Sequence, residues 1–149
     1  MRWLAPGLAA AAFLGAGGAP SEEWRDPRAE WEFSAQGTAD EARLVVRDAA
    51  LWAEIWRIFT RHQEPRPPVP EVDFSESMLI VAARGECTSG GYGIEFVSIE
   101  EGDREIVATV REIDPGPGAF VTLAITYPVA IALYPATELP VRFVGATEP

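Results

Sequence analysis

The sequence predicts an α+β domain: mostly antiparallel β, about eight strands in a sandwich-like or strongly curled sheet, with one amphipathic helix packed on it. Three observations carry that expectation. Leu51, Trp52, Ile55, Trp56 and Phe59 fall on one broad stripe at about 100° per residue, which is a helix with a single apolar face. Met78–Ala83 is continuously apolar, as a strand covered on both faces would be. After residue 90, short apolar runs are separated by connections too short for crossovers, which favours hairpins.

Taken along the chain, residues 1–19 read as a secretory signal peptide. Arg2 precedes the apolar run Leu8–Leu14, and the small residues Gly15–Ala19 follow. The run is too short to span a bilayer as a helix, so no transmembrane segment is expected in the mature chain, which is placed in the periplasm or outside the cell. Residues 20–30 are charged and hold Pro20 and Pro27; they read as a flexible tether from which Trp24 can dock on the domain. A single domain is expected over residues 31–146.

Within it, the first strands are expected over 31–35 and 42–47. The helix starts at Asp48, a good N-cap, and runs to about His62. Arg66–Pro70 stops it and runs extended, as a rigid crossing back to the sheet. Further strands are expected over 78–83, 93–99, 104–112, 120–126, 129–134 and 141–144. In the 104–112 strand Ile106, Ala108 and Val110 share one face. Pro115–Gly118 is a loop, and Pro128 marks an edge, a bulge or a strand break.

Charge and composition exclude several functions. Hydrophobic content of 48% argues for a folded core. A net charge of -11 argues against nucleic acid or an anionic membrane as partner. Cys87 is the one cysteine, so no internal disulfide is possible, and it reads as an inert, part-buried residue. His62 is the one histidine; without a nucleophile motif it gives no triad, and alone it gives no metal site. No cofactor, metal site or catalytic residue is assigned, and an enzyme is not expected.

The most informative segment runs from Asp73-Phe74 to Gly90-Gly91-Tyr92. Strand, Gly-rich turn, aromatic, strand is a hairpin with an unusual tip, and it lacks the Lys-Ser/Thr pair and following helix of a phosphate loop. Asp73 reads as a cap for backbone N–H groups. Thr88, Ser89, Gly90, Gly91 and Tyr92, with Pro117 and Phe120 of the neighbouring loop, form a candidate partner-binding surface; the same glycines and Tyr92 could equally serve only to shape the turn.

Trp52 and Trp56, Pro70-Glu71-Val72-Asp73-Phe74, Gly85, Thr88-Ser89-Gly90-Gly91-Tyr92, Pro115 and Thr126-Tyr127-Pro128 resemble, in that order, the C-terminal domain family of PrcB-type protease-complex subunits. The resemblance runs over about residues 31–144. Where members of that family often carry a basic residue before the Thr, this chain has Glu86-Cys87. The resemblance implies an exported protein that binds a protein partner, a protease, and stabilises or assembles its complex. Two alternatives remain at this level. The Thr-x-Gly-Gly-Tyr tip also resembles the Thr-Gly-Tyr loop of chagasin-type protease inhibitors, although no counterpart of their other two loops stands out. A hydrolase would need two carboxylates brought together in a cleft.

Overall fold

The computed structural model describes residues 24–28 and 37–147. The expected signal peptide and the expected strand at 31–35 lie outside the described residues. The elements are β1 (Ala42–Val46), α1 (Ala49–Phe59), β2 (Ser77–Ala83), β3 (Gly93–Glu101), β4 (Ile106–Ile113), β5 (Val129–Pro135) and β6 (Val141–Gly145). They form two three-stranded sheets, ordered β1-β2-β5 and β3-β4-β6.

The apolar run of β2 dictates the layering. Met78, Ile80 and Ala82 point into a core shared with Ile94, Phe96, Ile99, Ile106, Ala108 and Val110 of the second sheet. Leu79, Val81 and Ala83 point the opposite way, into a core shared with Trp52, Ile55, Trp56 and Phe59 of α1. Alternation along a strand thus feeds two cores from one run. The order of layers is helix, first sheet, second sheet, and neither sheet closes into a barrel. Fully burying an aliphatic side chain of this size contributes about 1.5–3 kcal/mol, and β2 makes that contribution to both cores.

The helix forms where expected but is shorter. Asp48 caps it by accepting the Leu51 N–H at 2.8 Å. It ends at Phe59, where Thr60 leaves helical geometry at φ -108° and ψ 14°; the buried Thr60 hydroxyl donates to the Trp56 carbonyl at 2.7 Å. Leu51, expected on the buried stripe, sits at its rim and is 40% exposed. The two tryptophans also fix the proline run. The Trp52 indole N–H donates to the Pro70 carbonyl at 3.1 Å and the Trp56 indole N–H to Pro67 at 2.9 Å. Polyproline backbone has no internal hydrogen bonds, so these two donors are what hold it against the helix.

Asp73 accepts the Ser75 N–H at 3.0 Å on its side chain, and its carbonyl accepts from Glu76 and Ser77. It therefore caps the turn that launches β2, not the hairpin tip. Phe74 packs beside it against the helix-side core.

Strand pairing is antiparallel except between β4 and β6, which run parallel. That exception arises because the chain visits the first sheet, as β5, between the two. Six strands are observed among the described residues rather than eight. Residues 120–126 are not a strand: they make one isolated bridge, Thr126 with Cys87, and hold apolar side chains with no sheet to cover them. The strand expected at 104–112 begins at Ile106, after the turn closed by the Gly102 N–H on the Glu105 carbonyl. Pro128 marks a strand start, with β5 beginning at Val129. Val97 forms a bulge in β3 opposite β4.

Residues 24–28 of the expected tether lie on the free edge of β5. Arg25 and Leu133 exchange backbone hydrogen bonds of 3.2 and 2.8 Å, and the Trp24 ring meets Phe96 edge-on at 5.9 Å.

Trp56→Phe removes one N–H donor and leaves the Pro67 carbonyl without it. Urea unfolding should show a loss of about 1–3 kcal/mol, whereas Leu51→Ala on the exposed rim should cost clearly less.

Candidate functional site

Two connections cross between the sheets at the same end of the sandwich. Residues 84–92 carry the chain from β2 to β3, and residues 114–128 return it from β4 to β5. The candidate residues Thr88, Ser89, Gly90, Gly91 and Tyr92 lie on the first crossing, and Pro117 and Phe120 on the second.

The crossings are tied together by backbone. Cys87 and Thr126 exchange hydrogen bonds at 2.8 and 2.9 Å, the Gly90 N–H donates to the Thr122 carbonyl at 2.9 Å, and the Thr126 hydroxyl donates to the Ser89 carbonyl at 2.7 Å. The contact is too close for side chains at the tip. A Cβ on Gly90 would stand 2.4 Å from the Thr122 hydroxyl oxygen. Gly91 has φ +87°, and a Cβ there would meet Val121 at 2.8 Å and Pro115 at 2.9 Å. The Gly-Gly pair is a seam where one loop lies flat on the other.

Arg84 secures the base of the seam, a role the sequence reading did not assign it. Its backbone N–H donates to the Pro128 carbonyl at 3.0 Å, and its guanidinium donates to the carbonyls of Gly93 at 3.3 Å and Ile113 at 2.5 Å. It also bonds the Asp114 carboxylate, approaches Glu112 at 3.6 Å and lies 4.9 Å from the Tyr92 ring centroid. Burial works against its charge, and the Asp114 hydrogen bond with the neighbouring carboxylates outweighs that, holding its pKa above the ordinary value. Tyr92 is thus a half-buried lid on Arg84. A single basic residue directly after a buried strand was the signal available for this role.

What projects is the second loop. Residues 115–128 carry no charged side chain, in a chain of which 23% of residues are charged. Phe120 is 107% exposed, Leu123 97% and Ile125 56%. Thr88 and Pro117 are exposed beside them. The sequence reading had Phe120 and missed Leu123 and Ile125, because 120–126 read as a strand whose apolar residues would be covered.

The remaining candidates stand elsewhere. Trp52, Trp56, Asp73 and Phe74 belong to the helix-side layer. His62 is exposed and stacks on Tyr127, with ring centroids 6.5 Å apart. Arg61 lies 4.9 Å over the Tyr127 ring, and the Tyr127 hydroxyl donates to Glu86 at 3.2 Å. Among the described residues no group of three or more His, Cys, Asp or Glu is placed to hold a metal ion. An open depression of about 540 Å³ lies between β1 and the ends of β4 and β6. Its carboxylates Glu41 and Glu112 are exposed and bridged by Arg43 at 3.0 and 3.7 Å, which is unlike a buried acid–base pair. No described helix is long and apolar enough to cross a membrane.

Fold and site together define a layered α+β module that displays an uncharged loop. Residues 78–133 match the family model described as PrcB C-terminal. The match runs from β2 into β5 and takes in both crossings, so the resemblance carried by the Gly-Gly-Tyr tip is borne out over that segment. It covers less than half of the chain; α1 and Asp73-Phe74 lie outside it. No curated protein and no solved structure matches the chain.

Gly90→Ala and Gly91→Ala should each destabilise by about 1–3 kcal/mol in thermal or urea unfolding, through the clashes above and, at Gly91, the positive φ. Gly116→Ala, with nothing within 4 Å of its Cβ, should be near neutral. Equal effects at all three positions would contradict the seam.

Proposed function

We propose that this chain is a non-catalytic, exported protein-binding module that stabilises or assembles an extracellular or envelope protease complex. The observation that carries this reading is the pinned, uncharged loop 115–128 with Phe120 fully exposed at its surface. Large apolar side chains held in the open along one loop are a liability for a lone soluble domain and are the ordinary mark of a contact surface. Recognition residues carried on loops of a rigid β scaffold fit the same reading. The protease direction is supported by the PrcB C-terminal match over residues 78–133, and export by the signal-like order of residues 1–19.

This assigns different work to the two halves of the candidate surface. Thr88–Tyr92 hold the platform, and Pro117 and Phe120 meet the partner. An inhibitor wedging a Gly-rich tip into a protease would need that tip to project freely, whereas Gly90 and Gly91 lie against Thr122, Val121 and Pro115.

Deleting the gene in the native host should lower the amount of an intact protease complex in the envelope or culture fluid, measured by native gel and by hydrolysis of a casein substrate. The wild-type chain should restore it, and Phe120→Ala, at unchanged melting temperature, should restore less. Unchanged protease levels after deletion would overturn the proposal.

A further inference from the structure

Resting on the reading of 115–128 as a contact loop, we infer that Phe120, Leu123 and Ile125 dock in an apolar cleft with a basic rim on a folded partner protein. The apolar part of the inference comes from exposure. Among the described residues the other exposed large apolar side chains, Leu51, Ile58, Val69, Val97 and Ile113, are each 40–46% exposed, as scattered surface residues usually are. Phe120 and Leu123 are essentially uncovered and lie three residues apart in sequence on one loop, and Ile125, 56% exposed, follows two residues later.

The basic rim comes from charge. The uncharged run is entered through Asp114, whose side chain is 72% exposed, and Glu112, 43% exposed, while the guanidiniums paired with them are the less exposed partners, Arg84 at 14% and Arg43 at 23%. At the other end Glu86 is exposed beside Tyr127, where Arg61 covers the ring. The charge presented outward is mainly carboxylate, in a chain of net charge -11. Such a field steers in a basic surface and repels an acidic one.

The same field weighs against the other occupants. A second copy would set two acidic borders and two strongly negative chains face to face. A bilayer would accept Phe and Leu, but the loop offers no Lys or Arg to hold anionic headgroups. A protein cleft satisfies both features, and the pinned loop loses little freedom on entering it.

The test places p-benzoylphenylalanine at position 120, 123 or, as control, 97 of the full chain in its native host, followed by irradiation. Adducts should form from 120 and 123 with one protein and not from 97. The cross-linked peptide should be apolar with Lys or Arg flanking it. Adding Leu123→Asp to the chain labelled at 120 should reduce the adduct about tenfold or more, as loss of one buried apolar anchor requires. The purified chain should sediment as a monomer and should not float with phosphatidylcholine vesicles. A self-adduct, flotation with vesicles, an acidic contact peptide, or no adduct from 120 and 123 above that from 97 would each overturn the inference. A basic-rimmed partner outside any protease complex would uphold this inference and contradict the proposed function. Loss of the protease complex on gene deletion, with no adduct from 120 and 123, would do the reverse.

Discussion

Everything in this domain depends on β2 being apolar on both sides. A strand with no polar face must be covered twice, so one helix and one further sheet are required, and neither alone suffices. A slip of one residue would send Met78, Ile80 and Ala82 to the helix and Leu79, Val81 and Ala83 to the second sheet. The two cores differ in make-up, one built around paired indoles and the other around Phe96 and Tyr134 with isoleucines and alanines, so the register is fixed by packing as well as by hydrogen bonds.

The double covering also places the functional surface. The chain must leave the first sheet after β2 and return to it as β5. β2 with β5, and β3 with β4, are antiparallel pairs, so both crossings emerge at one end of the sandwich. Two irregular loops side by side must satisfy each other's backbone groups, and they do so through Cys87, Gly90, Thr122 and Thr126. The glycines are there because the loops touch. Arg84 serves the same end from beneath, its guanidinium donating to the carbonyls of Gly93 and Ile113, which face each other at the end of the β3–β4 ladder.

Much of this was legible in the residues. The helix, its Asp48 cap, the doubly covered strand and the alternation of β4 follow from periodicity and capping chemistry, which are local. The family resemblance also held over residues 78–133, the stretch that carries the Gly-Gly-Tyr tip. What failed to read was non-local. Phe120, Val121, Leu123 and Ile125 have the composition of a strand, and only the absence of a partner strand turns them into an exposed loop. The parallel β4–β6 pair was hidden for a similar reason, because it depends on which sheet β5 joins. Arg84 drew no role from the sequence, since its partners come from three separate stretches of chain, 92–93, 112–114 and 128.

The central claim is that the glycine tip is a seam holding an exposed apolar loop in place. Amide hydrogen exchange of the purified protein tests it most directly. The account predicts that the N–H groups of Cys87, Gly90 and Thr126 exchange slowly, with protection approaching that of β5, while those of Phe120 and Leu123 exchange at the rate of open loop. Free exchange at Cys87, Gly90 and Thr126 would contradict it, because the two crossings would then be independent and nothing would hold Phe120 and Leu123 ready for a partner.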